Sequence, residues 1–208
     1  VDLELQPPGP GEILIRVRAA GLCHSDLSVI DGSRPRVMPM VLGHEAAGEV
    51  VDLGPDVTEF VVGDYVVLSF VPSCGHCEPC LDGRAALCEP GAAANAAGSL
   101  LSGARRWHGS SGEPLHHHLG VSAFAEHAVV SARSAVKIDR ELPFDVAALF
   151  GCAVLTGVGA ALYSAELSAG DSVAVFGLGG VGLAALLGAR VAGATTIVAV
   201  DVVQDKLD

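Results

Sequence analysis

The stretch SVAVFGLGGVGLAALLGARV, residues 172–191, determines the fold of the second half of the sequence. Its pattern predicts a β-strand at Ser172 to Phe176, then a glycine-rich turn and a helix. A second strand-like run, Thr196 to Val200, follows the helix. This order predicts a doubly wound parallel α/β sheet, of which only the first two strands occur before the sequence stops. We therefore expect the sheet to be truncated.

The glycine turn has the spacing of a dinucleotide-binding site. A GxGxxG turn between strand and helix lets a pyrophosphate approach the free N–H groups at the helix N-terminus. Asp201 ends the second strand about twenty residues later, where a carboxylate bonds the ribose 2′-hydroxyl and repels a 2′-phosphate. The pattern favours NAD over NADP; the alternative for Asp201 is an ordinary turn residue. The predicted turn residues are Gly177, Gly179, Gly180, Val181 and Gly182.

The composition argues against nucleic acid and membrane partners. The formal net charge is −12, and the 12 basic residues are dispersed rather than clustered. The longest apolar stretches, Phe150 to Leu162 and Val173 to Ala185, are interrupted by Gly and Thr and are too short for good membrane spans. Because the chain begins at Val1 without Met, we expect an upstream segment to be missing. The cysteine pattern described below favours a reducing cytoplasm.

Residues upstream of the parallel sheet have a different pattern. Short β-rich runs at Glu12 to Val17, Glu45 to Leu53 and Asp64 to Phe70 are separated by Gly, Pro and Asp and predict a compact β-barrel. The stretch from Pro90 to Leu119 has little periodicity and is predicted to be a surface excursion. Strand character resumes at Ala123 to Val130.

Four of the six cysteines lie close together between the predicted strands. Cys74, Cys77, Cys80 and Cys88 form the pattern CxxCxxCx7C, with turn residues between them. Four thiolates complete a tetrahedral zinc site that holds a lobe together and leaves no position open for chemistry. Disulfides and an iron–sulfur cluster remain as alternatives. His76 within the lobe is not needed as a ligand.

The other two cysteines and one histidine lie in glycine-flanked motifs. Cys23 occurs in GLCHSD, His44 in GHEAAG and Cys152 in GCAVLTG. A Cys, His, Cys set leaves a fourth position free for water or substrate, as a catalytic zinc requires. Taken singly, each residue is as consistent with an ordinary buried side chain. Three adjacent histidines, residues 116–118, are predicted to lie in an exposed loop and receive no metal role.

In their order along the chain, GLCHSD, GHEAAGEV, the cysteine lobe, GVSAFAEHAVV, GCAVLTG and GLGGVG resemble the zinc-containing medium-chain alcohol dehydrogenases. The resemblance implies a GroES-like β-barrel catalytic domain at residues 1–153, with a structural zinc lobe at 74–88. The first portion of a Rossmann NAD-binding domain would follow at residues 154–208. It also implies hydride transfer between an alcohol, or an aldehyde or ketone in reverse, and NAD. Two Zn²⁺ per chain and a homo-oligomer at full length are further implications.

The same resemblance implies the ligands of the catalytic zinc. Cys23, His44 and Cys152 would bind the ion, and Glu45 would lie behind it as a transient ligand. Asp26 would accept a hydrogen bond from His44, which fixes the tautomer of the imidazole and raises its basicity. A turn-capping aspartate is the alternative for Asp26.

Proton and coenzyme roles also follow from the resemblance. Ser25 matches the hydroxyl that takes the alcohol proton. Many family members have a histidine five positions after the first zinc-binding cysteine, but Ser28 stands there, so the outer base of the relay is not identified. The residues implied to contact the coenzyme are His24 at the pyrophosphate, Lys206 at the adenosine ribose, and Thr156 with Val181 near the nicotinamide.

Two alternative functions remain open at this stage. The chain could be a zinc-binding fragment without turnover, since parts of the protein are expected to be missing. It could also belong to an NAD-dependent dehydrogenase of formaldehyde–thiol adducts with the same architecture. The substrate pocket residues that would separate these lie partly outside the sequence.

Overall fold

The computed structural model describes residues 2–207, so Val1 and Asp208, the outer bounds of the two predicted domains, lie outside the described residues. The chain forms two compact units that divide between Gly151 and Cys152. The domain boundary expected from the sequence lies after residue 153.

The first unit contains most of the strands. Its described strands are β1 (Glu4–Leu5), β2 (Glu12–Gly21), β3 (Met40–Val41), β4 (Glu45–Leu53), β5 (Tyr65–Leu68), β6 (Trp107–His108), β7 (His116–His117), β8 (His127–Ser131) and β9 (Ala135–Lys137). Its α-helices are α1 (His24–Ile30), α2 (Glu78–Leu81), α3 (Glu89–Ala97) and α4 (Phe144–Ala148), with 3₁₀ turns at Ala85–Leu87, Ala132–Ser134 and Leu149–Gly151.

Five strands form the main sheet of this unit. Their order is β8-β2-β4-β5-β9, and every neighbouring pair is antiparallel. Backbone pairing does not close the predicted β-barrel within the described residues, since no pairing joins β8 to β9. These edge strands are nevertheless linked only by the turn Ala132–Ser134, which can span at most about 14 Å. The sheet must therefore curl until its two edges lie close together.

The core lies on the inner face of this curled sheet. Alternate residues of β2, Ile13 and Ile15, are fully buried, as are Val50 of β4 and Val66 and Leu68 of β5. Alternation with a period of two is the pattern expected when one face of a strand is buried. A separate cluster forms around α4, which begins directly after Pro143. Its Ala147 and Ala148 pack against β2 and β4.

The pairing of β2 with β4 brings two predicted ligand motifs to one end of the sheet. Gly21, the last residue of β2, pairs with Glu45, the first residue of β4. Cys23 follows Gly21 by two positions, and His44 directly precedes Glu45. Irregularities in the register of β2 between Leu14 and Ile15 and between Val17 and Ala19 increase the local twist of this pair.

The predicted surface excursion from residue 90 to residue 119 is wrong. The segment contains α3, β6 and β7, and its Leu100, Trp107 and His117 side chains are buried. β6 pairs with β1 antiparallel, and β7 pairs with β3 in parallel. These short strands pair with strands that are distant in the sequence. The segment itself therefore shows no local periodicity, and its sequence has the pattern of a loop.

The second unit has the predicted strand, turn, helix, strand order. It contains α5 (Ala153–Gly159), a π-helical turn (Ala160–Ser164), β10 (Ser172–Phe176), α6 (Gly180–Val191) and β11 (Thr196–Val200), with a last 3₁₀ turn at Gln204–Lys206. β10 and β11 are parallel along their whole length. The mixed α/β fold predicted from the sequence is therefore confirmed.

Two glycines allow α5 and α6 to pack closely. A Cβ atom at Gly157 would lie 2.2 Å from the carbonyl oxygen of Val181, and one at Gly188 would lie 2.9 Å from the Cβ of Ala161.

Among residues 2–207, no single helix has both the length and the apolarity needed to span a membrane; Phe144–Gly151 and Ala153–Ser164 reach them only when counted together.

Candidate metal centres and coenzyme turn

The four clustered cysteines converge on one point. Their Sγ atoms all lie within 4.8 Å of one another, and those of Cys77 and Cys88 are 3.9 Å apart. Cys77 precedes α2 and Cys88 precedes α3, so the starts of two helices place two of the sulfurs. No disulfide is present among the described cysteines. The structure therefore pairs none of these four cysteines with one another.

Backbone N–H groups surround these sulfurs. The amides of His76 and Cys77 donate to Cys74 Sγ at 3.5 and 3.3 Å, and those of Cys74 and Gly91 donate to Cys88 Sγ at 3.2 and 3.3 Å. The donated bonds, that from His76 first, lower the pKa of Cys74 to about 6. Such donors stabilise thiolates, the form that binds metal.

Without a cation, the four sulfurs cannot all ionise. The Gly75 amide favours the Cys80 thiolate, but burial and the neighbouring cysteines outweigh it and raise the pKa of Cys80 to about 11. One thiolate thus opposes the formation of the next, and a divalent ion in the centre removes this repulsion. The four cysteines fit a closed zinc site in number, distance and donor type.

A second group of ligand atoms lies where β2 and β4 meet. Cys23, His44 and Glu45 each place one ligand atom within 4.8 Å of the others. His44 and Glu45 are buried, at 1% and 3% exposure, whereas Cys23 is half-buried. The rings of Phe70 and His118 stand edge-on to His44, with ring centroids 5.8 and 5.4 Å away. A soft sulfur, an imidazole and a carboxylate are together suited to zinc.

Asp26 lies behind His44, as the sequence predicts. His44 Nδ1 lies 3.2 Å from both carboxylate oxygens, and the Gly43 amide donates to Oδ1 at 3.1 Å. Burial of Asp26 opposes ionisation, but its contacts with His118, His44 and Gly43 hold the pKa of this carboxyl well below its usual range. The carboxylate therefore accepts a hydrogen bond from the proton-bearing Nδ1 of His44. This leaves Nε2 of His44 free to bind a metal ion.

Gly43 sets the direction in which His44 leaves the chain. Its φ is +95°, and a Cβ atom there would lie 2.5 Å from the backbone nitrogen of Phe124. The amides of Ala123 and Phe124 donate to the carbonyls of Gly43 and Leu42 at 3.0 Å each. The segment after β7 is thus bonded directly to the backbone that presents His44.

The histidines of residues 116–118 were predicted to be exposed, and this is wrong for two of them. His117 and His118 are fully buried, whereas His116 is not. His117 Nε2 accepts from the Arg106 amide at 3.1 Å. His118 Nδ1 lies 3.0 Å from Asp26 Oδ1 in a close polar contact rather than a well-aligned hydrogen bond. Sequence reasoning missed His118 because its partners are distant in the chain; the alternation of side chains along a strand was the available indication.

The other predicted catalytic residues lie on two helix starts. Cys23 caps α1, which carries the half-buried Ser25 in its first turn. His24 Nδ1 lies 3.3 Å from the Ser28 hydroxyl, one helical turn on. In the second unit, Cys152 directly precedes α5, and the Thr156 amide donates to its carbonyl at 2.9 Å. Cys152 is the residue after Gly151, with which the first unit ends.

The glycine turn of the second unit leaves the start of α6 open. Gly177 has a φ of +91°, and a Cβ atom at Gly182 would lie 1.8 Å from the Gly177 carbonyl oxygen. Within residues 2–207, no atom beyond Gly179 and its two chain neighbours lies within 4 Å of the position that a Cβ of Gly179 would take, and no side chain of this range caps the helix. The first N–H groups of α6 are thus accessible to an anion, and the turn fits a pyrophosphate.

Asp201 lies beside this turn. Its carboxylate accepts from the Leu178 amide at 2.6 Å and from the Val203 amide at 2.9 Å, and Lys206 Nζ lies 3.5 Å away. The bond from Leu178 is the largest influence that lowers the pKa of Asp201. An ionised carboxylate next to the turn repels a phosphate at the ribose 2′ position.

Comparison with known proteins finds relatives over most of this chain. The model of the alcohol dehydrogenase GroES-like domain matches residues 9–140. An S-(hydroxymethyl)glutathione dehydrogenase of Escherichia coli is 42% identical over 209 residues, which are 100% of this chain and 56% of that protein.

Solved structures are similar over the same extent. An alcohol dehydrogenase zinc-binding domain protein from Burkholderia ambifaria has a TM-score of 0.92 and 42% identity, covering 99% of this chain and 55% of its own. Benzyl alcohol dehydrogenase from Acinetobacter calcoaceticus has a TM-score of 0.85 and 37% identity with the same coverage. The chain spans a little over half the length of these relatives. It belongs to the zinc-containing medium-chain alcohol dehydrogenase family.

Proposed function

We propose that this chain carries the catalytic domain and the first part of the coenzyme domain of a zinc-dependent, NAD-linked alcohol dehydrogenase. The observation that supports this most strongly is the convergence of Cys23, His44 and Glu45, with Asp26 holding the tautomer of His44. The reaction is the reversible oxidation of a small alcohol to an aldehyde or ketone. The enzyme is a cytoplasmic homo-oligomer in this proposal.

Cys23, His44 and Cys152 are the proposed ligands of the catalytic zinc. A zinc ion held by these residues would supply Lewis-acid chemistry toward the alcohol hydroxyl. Glu45 is buried next to this set and is a transient ligand in the proposal. A second zinc is held by Cys74, Cys77, Cys80 and Cys88 and stabilises the lobe.

Proton and coenzyme contacts complete the proposal. The Ser25 hydroxyl relays the alcohol proton: it would accept that proton while it passes its own onward to solvent water. NAD, when bound, accepts the hydride at its nicotinamide ring. Gly177, Gly179, Gly180, Val181 and Gly182 receive the pyrophosphate, Asp201 and Lys206 the adenosine ribose, Thr156 with Val181 the nicotinamide, and His24 the pyrophosphate from the other side.

Metal content and turnover together test this function. In the full-length enzyme, Cys23→Ala and His44→Ala should each remove one of two zinc equivalents and abolish alcohol-dependent NADH formation. His127→Ala is the matched control, because His127 lies on β8 outside both clusters. Two zinc equivalents without any NADH formation in the unsubstituted protein would favour a non-catalytic zinc protein. Unchanged NADH formation in the two variants would refute the ligand assignment.

A formaldehyde–thiol adduct is the second candidate substrate. It is favoured by the 42% identity to the S-(hydroxymethyl)glutathione dehydrogenase. Comparison of kcat/KM for S-(hydroxymethyl)glutathione with kcat/KM for primary and benzylic alcohols separates the candidates. A ratio above about 100 in favour of the adduct, equal to about 2.7 kcal/mol of transition-state binding, would assign the thiol adduct.

A further inference from the structure

The carboxylate of Asp26 faces two imidazoles rather than one. His44 Nδ1 lies 3.2 Å from both of its oxygens, and His118 Nδ1 lies 3.0 Å from Oδ1. The three side chains are 1–3% exposed, so water does not compete for these contacts. Their ligand atoms all lie within 4.8 Å of one another. The role of Asp26 described above uses His44 and leaves His118 without a function.

We propose that His118 is a positioning residue of the catalytic metal centre. It contacts Oδ1 of the Asp26 carboxylate, the oxygen that His44 Nδ1 also contacts, and holds that carboxylate in the orientation that His44 requires. The inference rests on the proposed function of Cys23 and His44 as metal ligands. His118 itself neither binds the metal nor exchanges a proton with substrate.

The backbone holds His118 firmly in place. Its amide lies 2.8 Å from the Ser122 hydroxyl and 3.3 Å from the Val41 carbonyl, and its own carbonyl accepts from the Val121 amide at 3.1 Å. Leu119 and Ser122 have φ angles of +54° and +55°, which non-glycine residues rarely adopt. Strained backbone of this kind persists where the surrounding structure requires one arrangement.

The chemistry of the carboxylate explains why a second contact matters. A buried carboxylate with few partners can rotate about its Cβ–Cγ bond, and then its bond to the metal-binding imidazole lengthens. Gly43 N–H and His118 contact the same oxygen, Oδ1. Both contacts therefore oppose rotation of the carboxylate. The Gly43 contact comes from the backbone, whereas the His118 contact comes from a side chain and can be removed by substitution. Loss of this contact should weaken metal binding through His44.

A double-mutant cycle tests this role in the full-length enzyme. His118→Phe keeps the ring but removes both nitrogens, and we expect zinc affinity, measured by chelator competition, to fall about tenfold. In the Asp26→Asn background, the same change should have little further effect, because His118 acts through the carboxylate. His118→Asn places an amide N–H near the former Nδ1 and should restore most of the affinity. His116→Phe is the control from the same histidine run.

Cobalt substitution gives a readout that a purely structural role would not change. The visible absorption of Co²⁺ at the catalytic site should shift in His118→Phe and return toward the original spectrum in His118→Asn. Wild-type zinc affinity and an unchanged cobalt spectrum in His118→Phe would overturn the inference. Loss of a whole zinc equivalent would also overturn it, because His118 would then be a ligand. If His44→Ala retains both zinc equivalents, the proposed function itself fails instead. Should His118→Phe not fold, His118→Leu takes its place in the cycle, and additive effects of His118→Leu and Asp26→Asn on affinity would overturn the inference.

Discussion

His44 Nδ1 lies 3.2 Å from the Asp26 carboxylate, and this contact leaves Nε2 as the ring nitrogen available to a metal ion. The pairing of Gly21 with Glu45 brings this imidazole beside the loop that carries Cys23. Both the direction of His44 and its tautomer are therefore set by protein groups before any metal binds.

Asp26→Asn is expected to lower zinc affinity about 10- to 100-fold while the fold is retained. The amide oxygen can still accept from His44 Nδ1, but it carries no negative charge to raise the basicity of the imidazole. Chelator competition measures the loss. Asp31→Asn, at the exposed end of the same helix, should leave affinity unchanged. Equal affinities in the two variants would contradict the role assigned to Asp26.

Gly43→Ala is expected to destabilise the protein far more than Gly32→Ala. Both glycines have positive φ, +95° and +78°, so both substitutions cost about 1–2 kcal/mol of backbone strain. Only at Gly43 would the new Cβ collide with backbone, at Phe124 N, whereas Gly32 has nothing within 4 Å. Urea unfolding should show an additional loss of about 1–3 kcal/mol for Gly43→Ala. Similar values for the two variants would argue against the close packing described here.

Removal of metal from the cysteine lobe should unfold that lobe. Cys80→Ser is expected to lose one zinc equivalent and several kcal/mol of stability, because metal binding at such a site contributes on the order of 10 kcal/mol. Metal analysis and thermal unfolding provide the two measurements. Cys23→Ser offers the comparison: it should also lose one zinc but shift the melting temperature less. A variant of Cys80 that keeps both zincs would rule out the four-sulfur site.

Acid should destabilise the protein partly through His117. Burial, together with Arg106 and His116, lowers the pKa of His117 to about 4, below the value of about 6.5 expected in the unfolded chain. The folded state therefore binds fewer protons, and the stabilisation present above pH 6.5 is lost as the pH falls toward 4.

His117→Gln removes this titration and retains an acceptor for the Arg106 amide. The difference in unfolding free energy between wild type and variant should change by up to about 3 kcal/mol between pH 7 and pH 4. Urea unfolding at a series of pH values measures it. A difference that does not vary with pH would show that His117 does not titrate in this range.

The sequence predicted the parts of the fold that depend on local pattern. The bounds of Glu45–Leu53, Ser172–Phe176 and Thr196–Val200 match the predicted strands, and the last two are short runs rich in Val, Ile and Phe beside turn residues. The candidate ligand residues were predicted from motifs. The geometry brings Cys23 to His44 and the four lobe cysteines together, and the third catalytic ligand, Cys152, stays a prediction.

His118 shows what could not be predicted. It reaches Asp26 because β7 pairs with β3 in parallel, and no local pattern specifies which distant strand becomes the partner. The three adjacent histidines were judged by adjacency alone, although neighbours in an extended segment point in opposite directions. His117 and His118 accordingly reach unrelated partners.

Helix α3 connects the two metal centres through the backbone of the first unit. It starts on the sulfur of Cys88, and at its far end the carbonyl of Ala97 accepts from the His116 ring and that of Gly98 from the His117 amide. Without metal in the lobe, Cys88 would no longer fix the start of this helix. The contacts at the end of the helix that hold His116 and His117 would then weaken. Zinc scarcity would then disturb the candidate site around His44 from a distance.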